Sequence, residues 1–376
     1  MPFSHNHLYV ELILLILFAF NVVIQLFYYW YFFARLAFRK IPEPPAQSLP
    51  VSVVISAKNE YSNLKKHLPL IMDQDYPDFE VLVVDDASTD ESDELLDEME
   101  KHYERLKVIH IRQDLNFFKG KKFPLSIGIK SAKNGLILLT DADCRPTGRN
   151  WIRSMAARFH DHTEVVLGYG PFEKKKGLLN KLIRFDGMHV AMQYLSYALR
   201  GIPYMGVGRN LAYEKKLFYQ SKGFTSHYKV ASGDDDLFIN QVARAGNTGI
   251  NIDPDAFMYS RPSTSLNRWI RQKRRHFSTA GYYKKHFKWL LGLYSASQLS
   301  FYILVVLSLI FPFFWPATLF LFLLRLVSQL IILKKCSNKL DEKDLLLFSP
   351  IYELMLILMS TFLVLTNFIR KRNKWK

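Results

Sequence analysis

Apolar residues in this chain fall into long runs and short ones. Leu8 to Phe38 is almost uncharged, with Glu11 and Arg35 as its formal charges, and it exceeds the roughly 20 residues a helix needs to cross a bilayer. Further long runs cover Leu290 to about Leu333 and Leu345 to Ile369. The stretch from Pro50 to about Lys288 is different: its apolar runs are short and separated by polar segments, as in a soluble domain. Val51 to Ser56, Glu80 to Val84, Lys107 to Ile111 and Leu136 to Thr140 are β-branched or aliphatic runs that predict buried strands. Helical spacing occupies Glu60 to about Met72, with Leu64, Leu68 and Ile71 in register, then Phe123 to Lys133 and Leu178 to Leu199. Ser88 and Thr89 are placed to cap an acidic helix running to about Glu104. Strands alternating with helices predict a mainly parallel sheet covered on both faces. Ligands of such sheets bind at the carboxyl ends of the strands. Asp85-Asp86 and Asp141-Ala142-Asp143 both stand at such ends.

Charge then orients the chain. Of 376 residues, 49% are hydrophobic, and the formal net charge is +16. Arg35, Arg39 and Lys40 follow the first span and Lys284, Lys285 and Lys288 precede the second. The domain between them is therefore expected on the cytoplasmic side, as in a bacterial inner-membrane protein. Phe311, Phe313, Phe314 and Trp315 around Pro312 and Pro316 predict a tight hairpin between two spans, returning Lys334, Lys335 and Lys339 to the same side. A single further span would carry the basic tail, Arg370 to Lys374, outside. Either the last apolar zone is re-entrant or interfacial, or the charge rule fails there. No basic n-region or small-residue cleavage site marks the first span as a signal peptide. Two cysteines, Cys144 and Cys336, imply neither a disulfide framework nor a zinc cluster. The basic residues gather at membrane junctions, so they predict contacts with anionic membrane lipids and no nucleic-acid partner.

Several motifs carry chemistry. They run in the order "SAKNE" after the first strand, "VVDDASTD" after the second, "GKKFPLSIGIK", "TDADC", "GRNLAY", "SGDDDLF" and "RQKRRH". From about Val51 to Phe277 this set resembles a membrane-integrated family 2 glycosyltransferase with the nucleotide-diphospho-sugar-binding (GT-A) fold. The resemblance implies a DxD pair, Asp141 and Asp143, holding Mn²⁺ or Mg²⁺ against the donor diphosphate, as paired carboxylates suit such ions. It implies nucleotide contacts from Ala57, Asn59, Glu60 and either Asp85 or Asp86, with Asp86 preferred. Lys121 is expected near the nucleotide or its phosphates, although Lys119 and Lys122 are alternatives. Asn210 is expected to contact the acceptor.

Asp234, Asp235 and Asp236 follow Ser232-Gly233, and adjacent carboxylates repel, so burial without partners is not expected. Inverting transfer needs one base for the acceptor hydroxyl. The family pattern is usually Glu-Asp; here the extra Asp leaves two registers, one making Asp235 the base with Asp234 beside it, the other Asp234. Gln272 and Arg275 resemble the QxxRW motif, with His276 where tryptophan is usual. Arg275 could pair with the diphosphate. A basic interfacial helix with Trp269 and Phe277 toward lipid is the plainer reading of that segment.

The expected fold class is α/β, a GT-A domain with a mixed, mainly parallel sheet and transmembrane helices at both ends. Its parts are a first span at 1–40, a linker at 41–50, a catalytic domain at 51–263, an interfacial region at 264–289 and a membrane region at 290–376. The expected reaction moves a sugar, with inversion, from UDP-sugar or another nucleotide-sugar to a lipid or glycan acceptor. The alternatives are a processive polysaccharide synthase and a catalytically silent membrane scaffold.

Overall fold

The computed structural model describes residues 5–40, 48–112, 120–230, 232–310 and 314–369. Lys119, the Phe311–Phe313 part of the hairpin, most of the 41–50 linker and the basic tail lie outside the described residues. The chain divides into two compact units, one formed by residues 1–39 with 284–371 and the other essentially by 40–283. It opens with α1 (His5–Phe27), a π-helical segment (Tyr28–Phe33) and α2 (Ala34–Ala37).

The second unit then alternates β1 (Val51–Ala57), α3 (Tyr61–Met72), β2 (Phe79–Asp86), α4 (Ser92–His102), β3 (Leu106–Ile111), α5 (Lys122–Ser131) and β4 (Leu136–Asp141). Next come β5 (Cys144–Pro146), α6 (Trp151–Ala156), β6 (Val165–Gly168), α7 (Leu178–Leu199), β7 (Leu211–Glu214) and α8 (Lys215–Gln220). The unit finishes with α9 (Asp236–Val242), β8 (Thr248–Asn251), β9 (Met258–Ser260) and α10 (Leu266–Ala280). The strands form a seven-stranded sheet in the order β3-β2-β1-β4-β7-β6-β8 and a small β5-β9 sheet. Pairing is parallel except where β7 runs antiparallel to β4 and β6.

Register decides what meets at the sheet's edge. Asp85 is opposite Ala57 and Asp141 opposite Ser56, so two acidic strand ends flank the end of β1. Because β7 is reversed, its amino end, led by Gly208 to Asn210, arrives at the carboxyl end of β4. Beneath, β1 and β2 are buried almost throughout, which is why they read as continuous apolar runs. One face packs Val53, Ile55, Val81 and Val83 against Leu64, Leu68, Leu96 and Trp151. One sequence expectation is corrected: α4 begins after Glu91 without a side-chain cap. Ser88 and Thr89 instead brace the loops ahead of it, as described below.

The first unit completes with α11 (Lys285–Ile310), α12 (Trp315–Lys339) and α13 (Ser349–Ile369). Four of its helical stretches are long and apolar enough to cross a membrane: Leu8–Ala37, Lys285–Ile310, Trp315–Lys339 and Ser349–Thr366. From Ser349 to Ile369 the last apolar zone is one continuous helix. Within this unit Arg325 is buried and donates through Nη2 to both oxygens of Glu353, at 2.9 and 2.8 Å, and through Nε to Gln25 at 2.7 Å. Gln298 and Tyr302 also donate to Glu353, at 2.9 and 2.8 Å. One polar cluster thus joins α1, α11, α12 and α13, satisfying groups that hydrocarbon would leave bare.

Candidate active site

The loops after β1 and β2 are locked together. Asn59 takes a left-handed backbone, φ 56°, which asparagine tolerates better than most residues. Its Oδ1 accepts from the Thr89 amide at 2.7 Å, and its own amide donates to Ser88 Oγ at 2.9 Å. Ala57 is buried at the end of β1. The two aspartates of β2 differ. Asp85 is buried, accepts from Ser88 Oγ and sits 3.3 Å from His110 Nδ1, making it an internal strut. Asp86 is partly exposed, with the Lys58 ammonium 4.0 Å away. Of the two, Asp86 is the one able to reach a ligand.

At the end of β4, oxygens of Asp141 and Asp143 and the Cys144 sulfur lie within 4.8 Å of one another. Burial and its carboxylate neighbours push the Cys144 thiol up, so it stays protonated and donates to Asp143 Oδ1 at 3.4 Å. That leaves two hard oxygen donors, a set that fits Mg²⁺ or Mn²⁺ better than a thiophilic metal. Lys121 Nζ donates to Asp141 Oδ1 at 2.7 Å. Burial opposes the charge of Asp141, but Lys121, with Arg209 and Arg275, more than offsets it and holds the carboxyl below its usual range. Asp143 is pushed the other way, by burial and then by the Asp141 charge. Glu60 is raised by burial first, with Asp143 and Asp141 adding, although it also accepts from Asn63. Three carboxylates thus share one small region, and a divalent cation would relieve their repulsion.

The adjacent carboxylates Asp234 to Asp236 separate by direction. Asp236 is buried, and its Oδ2 accepts from Thr279 Oγ1 and, at 2.7 Å, from Tyr283 OH. That removes it as a base and ties α9 to the end of α10. Asp235 caps α9: Oδ1 accepts from the Asp236 amide at 2.7 Å and Oδ2 from the Gly208 amide at 2.8 Å. Burial, then the charges of Asp234 and Asp236, push its carboxyl up to about 8. Asp234 is raised by burial too, while the Lys121 charge pulls it down and Asp141 pushes it up, so it faces the DxD side. Gly233 makes the turn at φ 98°, and a Cβ there would come within 2.5 Å of Leu237.

Asn210 corrects the sequence reading. It is fully buried, donating to the carbonyls of Tyr169 (2.8 Å) and Ala256 (2.7 Å) and accepting from the Trp151 indole (3.0 Å). No polar atom is left for an acceptor. Its neighbour Arg209, which motif reading passed over, lies with its guanidinium 4.3 Å from the Phe172 ring centroid and donates to Ser260 Oγ at 2.9 Å. Its charge acts on both Asp141 and Asp143. The two lie in a turn closed by the Asn210 amide donating to the Val207 carbonyl at 3.0 Å, and no local sequence pattern tells an inward residue of such a turn from an outward one.

On α10, Arg275 is exposed and its charge reaches Asp141. Gln272 accepts from Ser263 Oγ at 3.3 Å. Trp269 is buried rather than turned toward lipid. Lys273 anchors the helix by pairing with Asp186 of α7 at 2.7 and 2.9 Å. His276 is exposed. The site therefore gathers Glu60, Lys121, Asp141, Asp143, Asp234, Arg209 and Arg275 into one electrostatic neighbourhood, with Asp235 beside Asp234 and Asp86 at the end of β2.

Residues 52–222 match the family described as Glycosyl transferase family 2. The chain is 25% identical over 236 residues to the probable glycosyltransferase YdaM of Bacillus subtilis, a match covering 60% of this chain and 54% of that protein. It is 34% identical over 101 residues to the beta-monoglucosyldiacylglycerol synthase of Nostoc sp., covering 26% of this chain and 21% of that protein. The matches thus span about half or less of these relatives. Among solved structures, the mannosyltransferase PcManGT from Pyrobaculum calidifontis, in complex with GDP-Man and Mn²⁺, superposes with a TM-score of 0.57. That likeness, at 19% identity and covering 92% of this chain and 98% of that one, establishes the fold. Residues 52–222, which carry the acidic strand ends of β2 and β4, thus form a domain of the glycosyl transferase family 2.

Proposed function

We propose that this enzyme moves a sugar from a nucleotide-sugar, UDP-linked by first expectation, to a lipid or lipid-linked acceptor, with inversion in a single displacement. The observation that carries this is the pair Asp141 and Asp143, converged at the end of β4. These two carboxylates would hold Mn²⁺ or Mg²⁺. A bound divalent ion would supply positive charge to the departing nucleoside diphosphate. Lys121, Arg209 and Arg275 add fixed positive charge on the same side. Asp86, with the Asn59–Glu60 loop, is assigned the base or ribose in this reading, a role its partial exposure at the end of β2 supports. Asp235 is the proposed base: both its oxygens are oriented by backbone amides, and its raised proton affinity suits it to take the acceptor hydroxyl's proton. Asp234 would shape the field between base and metal.

The lipid acceptor draws support from the apolar helices and from the relatives named glucosyldiacylglycerol synthases. The cytoplasmic placement of the catalytic unit draws support from the basic residues flanking its spans.

The test incubates detergent-purified full-length enzyme with a panel of labelled nucleotide-sugars and extracted membrane lipids, with Mn²⁺ or EDTA. Turnover of one donor into a lipid-phase product, abolished by EDTA and by Asp143→Ala, supports the reading. Label appearing solely in the aqueous phase would remove the lipid acceptor. A long polymer on a gel would favour the processive synthase. Absence of both turnover and metal-dependent nucleotide binding would leave a silent scaffold.

A further inference from the structure

Lys122 is buried at the first residue of α5, and a lysine without water around it needs a reason to be there. Its ammonium has three protons, and the structure directs them to three backbone carbonyls: His227 at 2.7 Å, Val230 at 2.6 Å and Ser232 at 2.7 Å. All three belong to the segment that runs through Gly233 into Asp234 and Asp235. The residue before it, Lys121, grips Asp141. Two consecutive lysines therefore bind the two halves of the site.

We propose that Lys122 is a positioning residue for the base, anchoring the segment that delivers Asp234 and Asp235 and thereby coupling that segment to the DxD loop. An apolar side chain would fill the same space at lower desolvation cost, so the retained ammonium points to its donors and charge. The charges acting on Lys122 are those of Asp234, Asp236 and Asp235. His227 also faces it, kept neutral by burial and by the Lys122 charge. The β1 and β2 side chains that pack against α5 at Gly128, Val54 and Val84, bring no charge. Lys122 is thus the buried counter-charge beneath the acidic group.

The inference rests on the assignment of Asp235 as base. Its test compares full-length Lys122→Met and Lys122→Arg with wild type in detergent, measuring kcat and donor KM across pH, Mn²⁺-dependent nucleotide binding, and hydrogen exchange. In Lys122→Met, kcat should fall by about 10²-fold, as expected for a misplaced reacting group, with donor KM within about twofold of wild type. The rising limb of the pH profile should move to higher pH, because a cation near the carboxylates is gone. Lys122→Arg should recover part of kcat. Exchange should quicken over residues 225–236 and stay unchanged in β1 to β4. An unchanged kcat and pH limb in Lys122→Met would overturn the proposal. So would a loss of nucleotide binding with faster exchange throughout, which would mark a general folding role. A wild type that turns over no donor is a separate failure, of the proposed transfer reaction, and takes the positioning role with it; an Asp235→Asn variant that keeps wild-type kcat is the failure of the base assignment and does the same.

Discussion

The Gly208 amide donates to Asp235 Oδ2 at 2.8 Å, joining the lead-in to β7 with the first turn of α9. The carboxylate that most resembles a base is thereby aimed by a strand that runs against its neighbours. Asn at this position would present a donor to the Gly208 donor or lose the cap to Asp236. Asp235→Asn should lower kcat by about 10²–10⁴-fold, the usual worth of a general base. Mn²⁺-dependent nucleotide binding should persist, measured by titration calorimetry. With the Asp235 carboxyl pushed up to about 8, kcat/KM should rise with pH through that region. The stability sign follows from the same shift. A carboxyl raised above its unfolded value of roughly 4 stabilises the fold fully below that value and ceases to do so as pH rises through about 8. The Tm of ligand-free enzyme should fall across that window, and less steeply in Asp235→Asn.

Asp141 and Asp143 repel one another in the absence of a cation. Asp143→Asn should therefore leave the metal-free Tm equal to or above that of wild type. The rise in Tm that Mn²⁺ gives the wild type should disappear. Differential scanning fluorimetry with and without EDTA reads both.

Asn210 and Arg209 are neighbours with opposite duties. Asn210→Ala strands the Ala256 carbonyl and the Trp151 indole and leaves the Tyr169 carbonyl with the Met258 amide at 3.4 Å; it should cost about 2–4 kcal/mol of stability, read by denaturant unfolding. Arg209→Met removes the Ser260 hydrogen bond and the contact with Phe172 and should cost about 1 kcal/mol of stability. It should weaken binding of the nucleoside diphosphate about tenfold or more through loss of a charge-assisted contact.

In the apolar bundle, Arg325→Met would leave Glu353 uncompensated. It should destabilise by about 3–5 kcal/mol, the cost of breaking a buried pair by removing one partner. Arg325→Met with Glu353→Leu should recover much of that loss. Thermal unfolding of the detergent-purified protein, single against double variant, measures the coupling.

The sheet from β1 to β4, its helices, the spans and the DxD pair were legible from local pattern. Buried parallel strands are apolar throughout, helices repeat every three to four residues, and a spanning helix is long and mostly apolar. Each rule acts on residues close in sequence, so composition over ten or twenty positions determines the element. The acidic strand ends were legible for the same reason: parallel register puts the end of one strand beside the end of the next.

What each polar residue does was decided by partners far along the chain. Asp85 and Asp86 differ because His110 and Ser88 engage one and leave the other partly exposed. Asp236 is withdrawn from the site by Thr279 and Tyr283, over forty positions away. Asn210 went to the core because Trp151, Tyr169 and Ala256 meet there, and Lys122 went under the base because the carbonyls of His227, Val230 and Ser232 converge on it. The physical reason is common to all of them. A polar group taken out of water must find a partner within about 3 Å, and which groups come within that distance is a property of the assembled fold.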